Sequence, residues 1–362
     1  MTLASLTAVI LSFMAESCVA ALPVMATEHD HVTDHAVILT YHHVSAATPS
    51  STSLTPPEFT AHLNLIADSG YVVWPLAQLL ERLRAGQGVP QNAVALTFDD
   101  AYQSVFTEAR PLLKARGWPY TIFVTTDAID HRQSPYMTWE QLRTLVAEGV
   151  GIGNHSTHHA HLARQTVGES QTAWRQRVRE DIEHAAGRLK IELGVSASLF
   201  AYPYGEYSQA LRAEIADMDL IGLGQHSGPI GFDSDFLALP RFPVAGNYAG
   251  LDDLALRLKT QPLNIQAEPV GPQLLASSEE ITLRVPPGPY DSAQIACYAS
   301  GQGRMHLELM DSGRYKIRPM RPLLAGRSKY NCTIPHESES GVYFWWSYLL
   351  MKPHPDGSWY DN

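Results

Sequence analysis

The sequence predicts an α/β domain on a parallel sheet, open or closed as a barrel, followed by a small antiparallel β-sandwich. Short apolar runs alternate with amphipathic helical stretches from about residue 35 to 260, the pattern of a parallel sheet with crossover helices. Pro262, Pro269, Gly271 and Pro272 then interrupt that pattern as a linker. Beyond them, short strand-like segments follow one another between turns. The resulting division is 27–265 for the first domain and 266–362 for the second.

Taken in order, Ala36–Tyr41 reads as a strand and Pro57–Ser69 as a helix after a Ser/Thr/Pro stretch. Pro75–Arg84 is a second helix, and Val94–Phe98 is a strand that runs into Asp99-Asp100. Ser104–Arg116 is a helix ended by Gly117, and Tyr120–Val124 is the next strand. Thr138 caps the helix Trp139–Glu148, with Gln141 placed to bond back to the cap. Gly151–Asn154 is a short strand before the long helix Gln171–Leu193. Leu199–Tyr202, the helix Ser208–Ala216, Ile221–Leu223 and Leu239–Phe242 continue the alternation. Functional groups of such a sheet gather at the C-terminal ends of its strands. The second domain reads as strands Ile281–Val285, Gln294–Tyr298, Met305–Met310, Tyr315–Pro319 and Val342–Leu350.

Composition narrows the function classes. At 362 residues with 45% hydrophobic and 17% charged side chains, the chain is a globular protein with room for a full core. Its formal charge of −11 falls on residues 1–270, because residues 271–362 hold nine basic and nine acidic side chains. No clustered basic stripe is present, so nucleic acid is not expected as a partner.

Residues 1–26 read as an export signal. Leu3 to Val24 is apolar apart from small polar residues and Glu16, with small-residue cleavage sites after Ala20 and Ala26. The positive segment that usually opens such a signal is missing, since the first basic residue is Arg82. No later segment approaches the roughly 20 apolar residues of a membrane span. Removal of the signal takes Cys18 away and leaves Cys297 and Cys332, an even pair that an oxidising compartment would join. The expected location is therefore periplasmic or secreted.

Three short motifs carry the chemistry. Thr97-Phe98-Asp99-Asp100 ends an apolar strand with two carboxylates that point to opposite sides. One can bind a metal while the other faces the metal's water. In His155-Ser156-Thr157-His158-His159, His155 and His159 have the four-residue spacing that places two imidazoles on one face of a helical turn, as two ligands of one ion require. His158 and His161 are nearby alternatives. Phe200-Ala201-Tyr202-Pro203-Tyr204-Gly205 is a strand ending in a turn that can aim a backbone N–H into a pocket mouth. Taken singly, each motif is common: a turn, a chance histidine pair, another turn.

Together and in this order, with Tyr41-His42-His43, Met137-Thr138-Trp139 and Gly151-Ile152-Gly153-Asn154-His155, they resemble the polysaccharide deacetylases, the NodB-homology group of carbohydrate esterase family 4. The aromatic-rich third motif is similar to that of the poly-N-acetylglucosamine deacetylase branch. The resemblance covers about residues 36–260. It implies a distorted (β/α) barrel with fewer than eight repeats and a divalent ion, usually zinc, held by Asp100, His155 and His159. Cobalt, nickel or manganese also suit such donors. It further implies Asp99 as general base, the Tyr204 N–H as oxyanion donor, and an N-acetylated glycan as substrate.

The chain departs from the family pattern twice. Ala201 stands where an Arg that orients the base is usual, which leaves Arg241 as the candidate for that task. The late Leu-x-x-His that supplies the acid is replaced by Leu239-Pro240-Arg241-Phe242, which leaves His226 as the candidate acid. His42, Tyr102 and Trp139 are candidate groove-lining residues. In the second domain, Tyr343-Phe344-Trp345-Trp346-Ser347-Tyr348 alternates faces, so half its rings leave the sandwich core, either to pack on the first domain or to meet a glycan. Two other activities fit the same residues: removal of O-acetyl groups from a xylan-like glycan, and glycan binding on an inactive deacetylase scaffold.

Overall fold

A computed structural model of the chain describes residues 32–268, 273–274 and 279–360. The export signal read at residues 1–26 lies outside the described residues. Six parallel strands form the main wall: β1 (His35–Tyr41), β2 (Ala93–Phe98), β3 (Thr121–Val124), β4 (Gly151–Asn154), β5 (Leu199–Ala201) and β6 (Ile221–Leu223). They pair side by side in the order β6-β5-β4-β3-β2-β1. β2 is buried along its whole length, as expected of a strand covered on both faces.

One short segment joins the two edges of this sheet. Leu239 bridges Leu223 of β6, and β7 (Phe242–Pro243) pairs in parallel with Leu39–Thr40 of β1. The sheet is thereby curled into a distorted (β/α) barrel with fewer than eight repeats. The strand expected at Leu239–Phe242 is broken in two because Pro240 and Pro243 have no N–H to give to a ladder.

The helices lie close to their expected bounds. Pro56–Asp68 and Trp139–Ala147 each open on a capping box, Thr55 with Glu58 and Thr138 with Gln141. Leu76–Arg84, Gln171–Leu193 and Gln209–Asp217 follow the sequence pattern. The helix expected over Ser104–Arg116 instead begins as a π-turn, Val105–Ala109, before Arg110–Arg116 continues as α-helix. Pro111 is the physical reason: its ring would collide with a carbonyl one turn back, and a widened turn makes room.

Two apolar layers hold the barrel. Phe59, Leu63, Leu96, Phe98 and Ile122 are fully or almost fully buried between sheet and helices. Ala36, Ile38, Ala95, Phe123, Leu199, Leu223 and Leu239 turn the other way and fill the interior, plugged by Leu76, Leu79, Leu80 and Leu83.

The second domain is a sandwich. Its four-stranded sheet contains Gln266–Glu268, Ile281–Arg284, Arg314–Arg318 and His306–Asp311, and its other sheet is built on the hairpin Gly326–Pro335/Tyr343–Lys352. Cys297 and Cys332 face each other across neighbouring strands and form a disulfide. On Tyr343–Lys352, Phe344, Tyr348 and Leu350 enter the sandwich core. Trp345 packs edge-on against Phe242, with ring centroids 5.4 Å apart, and Leu349 and Met351 join an apolar cluster of the barrel. The outward-facing side of this strand is therefore docked on the first domain. Among the described residues, no helix is long and apolar enough to cross a membrane.

Candidate active site

The chemistry-bearing side chains collect where the strands end. β2 stops at Phe98, and the Asp99 N–H still donates to the Tyr41 carbonyl at 3.0 Å. Asp100 and Ala101 then adopt left-handed backbone, with φ of 70° and 59°. This turn sends the adjacent carboxylates to different partners.

Asp99 is wholly buried and accepts two parallel hydrogen bonds from Arg241, each 2.8 Å. Arg241, equally buried, is fixed in turn by the Gly224 carbonyl at 2.9 Å and the Thr97 hydroxyl at 3.2 Å. Its guanidinium lies over the Phe123 ring. Burial alone would raise the Asp99 pKa, but Arg241, with His155 and His42, reverses this and holds the carboxyl below the usual range.

Asp100 turns to the two imidazoles. Its Oδ1 is 3.3 Å from Nε2 of His155 and 3.3 Å from Nε2 of His159. His155 donates from Nδ1 to the Ala201 carbonyl at 2.7 Å, which leaves the Nε2 lone pair pointing at Asp100. The helical turn expected between His155 and His159 is absent. Ser156 and His159 have positive φ, 68° and 52°, and the loop is stitched by its own bonds. The Asn154 side chain accepts the Ser156 N–H, the Ser156 hydroxyl accepts the His159 N–H, and Asp181 accepts the Thr157 N–H.

These three side chains fit a divalent ion. Two donors on a tetrahedral ion with bonds of about 2.0–2.1 Å stand roughly 3.3 Å apart, which is the separation Asp100 keeps from each histidine. One donor atom from each residue lies within 4.8 Å of the others. His155 Nε2 is buried and has no hydrogen-bond partner, an orphan that a cation would satisfy. Burial, and then the neighbouring His155, push the His159 pKa down to about 4, so its imidazole is neutral and free to ligate.

Residues 86–222 match the polysaccharide deacetylase family. These residues are a polysaccharide deacetylase domain. YxkH of Bacillus subtilis (strain 168), assigned by its name to the polysaccharide deacetylases, is 26% identical over 216 residues, covering 59% of this chain and 72% of its own. The poly-beta-1,6-N-acetyl-D-glucosamine N-deacetylase of Escherichia coli (strain K12) is 25% identical over 217 residues, 50% of this chain. That match takes in 32% of the E. coli protein, about a third of its length. The Streptococcus pyogenes deacetylase PplD, solved in complex with acetate, shares the fold, with a TM-score of 0.56 at 20% identity over 63% of this chain and 99% of its own.

Around this cluster, His42 Nε2 lies 3.9 Å from Asp99 Oδ2. Tyr204 has left-handed backbone (φ 59°), and its ring stands beside His159 and stacks on His161 at 3.9 Å. Tyr102 stacks on His43 at 3.5 Å, and burial together with the Asp100 carboxylate holds its phenol in the protonated form. Gln225 carries no motif of its own, yet its Nε2 donates to Asp99 at 3.2 Å and sits 3.5 Å from His42 Nε2.

Two expectations are corrected. His226 does not face the cluster: its ring contacts the Tyr207 hydroxyl at 3.2 Å and lines a cleft of about 470 Å³ between barrel and sandwich. Burial pushes its pKa down to about 3, so it carries no proton to donate near neutrality. Trp139 is a packing residue, with its indole N–H bonded to Asp130 at 2.8 Å and its ring under Arg188.

Proposed function

We propose that the protein is a divalent-metal-dependent deacetylase that hydrolyses N-acetyl groups of an N-acetylglucosamine-containing polysaccharide or oligosaccharide. The observation that carries this reading is the pairing of two differently held carboxylates. Asp100 converges with His155 and His159, while Asp99 is tied to Arg241 beside them. The 25% identity to an enzyme named for an N-acetylglucosamine polymer supports the substrate class.

Asp100, His155 and His159 would hold the ion, zinc being the first choice and cobalt, nickel or manganese chemically acceptable. When bound, such an ion polarises an acetyl carbonyl and brings the pKa of a coordinated water down to about 7. Asp99, kept deprotonated and oriented by Arg241, is placed to take the proton of the attacking water. The Tyr204 N–H, presented by the left-handed turn, donates to the oxyanion that develops on the acetyl carbonyl oxygen. With His226 turned away, the acid is His42, whose Nε2 lies 3.9 Å from Asp99 Oδ2. His42 protonates the departing amine nitrogen, and acetate and a glucosamine unit leave. The Cys297–Cys332 disulfide supports an oxidising, hence exported, location.

The test is acetate release from N-acetylglucosamine oligomers and from acetyl-xylan, before and after chelation. The reading predicts release from the oligomers, its loss with chelator and its return with zinc. Release from xylan alone, or from neither, contradicts it. Asp99→Asn should keep its metal and lose about 10²–10⁴-fold in kcat.

A further inference from the structure

The strand Gly326–Pro335 of the sandwich reaches the deacetylase loops at two points. Arg327 donates from a guanidinium NH to the Tyr204 carbonyl at 2.5 Å, and its guanidinium lies over the Tyr204 ring. Lys329, two residues on and therefore on the same side of the strand, donates from Nζ to the Gln225 carbonyl at 2.6 Å. The two loops that receive these bonds touch each other. A side chain at Gly205 (φ 67°) would come within 2.6 Å of Gln225 Cβ, so the turn and Gln225 have no slack between them. Desolvation lowers the Lys329 pKa to about 8, the cost of bringing an ammonium to a backbone carbonyl in the domain interface.

Contacts from the neighbouring strand, from the C-terminal segment and from the barrel itself hold the same loops. The Ser347 hydroxyl donates to the Ser227 carbonyl. Arg164, Tyr360 and His161 converge on Glu206, directly after the turn, with Arg164 bidentate.

We propose that Arg327 and Lys329 are positioning residues of the deacetylase site: by holding the Tyr204 and Gln225 carbonyls they fix the Tyr204 N–H and the Gln225 amide against Asp99. The sandwich is then a working part of the active site. The effect on turnover rests on the deacetylase reading, whereas the effect on loop order does not.

The experiment compares Arg327→Met, Lys329→Met and the conservative Arg327→Lys with the wild-type full chain. Acetate release from a short N-acetylglucosamine oligomer gives kcat and KM, and amide hydrogen exchange reads the two loops. Expected are a loss of about tenfold in kcat for each Met variant with KM within about twofold, since the aligned donor matters in the transition state. Arg327→Lys should recover part of the loss. Exchange should rise in peptides covering Pro203–Glu206 and Gly224–Ser227 and stay unchanged around Cys297 and Tyr330. Unchanged loop exchange, or unchanged kcat in an active protein, overturns the proposal. An inactive wild type whose variants still loosen these loops counts against the deacetylase reading alone.

Discussion

Arg241 shows what one side chain does for another. Asp99 and Arg241 are both removed from water, and the pair survives burial because two parallel hydrogen bonds and fixed neighbours satisfy it. Arg241→Gln leaves a buried carboxylate without its cation and should lower unfolding free energy by about 3–5 kcal/mol, measured by urea titration. In the wild type the depressed folded pKa of Asp99 gives stability above the unfolded value of about 3.9, lost as pH falls through the folded value. The variant reverses that sign. Its Asp99 pKa rises, so the acid limb of the kcat/KM profile moves to higher pH, and an unmoved limb contradicts the role given to Asp99. At this scale, the two aspartates and the His155/His159 pair were legible because their residue types are chemically distinctive. Gln225 was not, because an amide in a Gly-rich loop signals nothing by itself. The misassignment of His226 has the same origin: in an irregular loop the sequence does not say which of two neighbours turns inward, and here Gln225 faces Asp99 while His226 faces Tyr207.

The elements explain why those residues meet. β4 carries His155 just past its end and has Gly153 where a Cβ would lie 2.3 Å from the Phe123 ring. Phe123 in turn supports the Arg241 guanidinium. Gly153→Ala should therefore push Phe123 towards Arg241, costing about 1–3 kcal/mol in stability and lowering kcat more than metal affinity. Wild-type melting and turnover in that variant would show that the strand has room to spare. The strand and helix pattern of the barrel was readable because burial on both faces leaves continuous apolar runs. Three features were not. The π-turn at Val105–Ala109 depends on how one proline is accommodated. The helix Leu251–Leu258 is short, and the strand Gly326–Pro335 is largely polar, with Tyr330, Cys332 and Ile334 buried at alternate positions.

At the scale of the molecule, the second domain is fastened to the first by apolar packing and by polar contacts from the same long hairpin. The disulfide inside it closes a loop between residues 35 apart, a constraint worth about 2–4 kcal/mol. Cys297→Ser with Cys332→Ser should lower the melting temperature of the sandwich, and because its hairpin holds the Tyr204 and Gln225 loops, turnover should fall before the barrel unfolds. Turnover that persists after the sandwich has melted would uncouple the two. The proposed activity depends on Asp100, His155 and His159 sharing one cation. Anomalous diffraction at the zinc absorption edge, from crystals of zinc-loaded protein, tests this most directly. It should show one ion bound by an Asp100 oxygen and the Nε2 atoms of His155 and His159 at about 2.0–2.2 Å. An ion bound elsewhere, or none at saturating zinc, contradicts it.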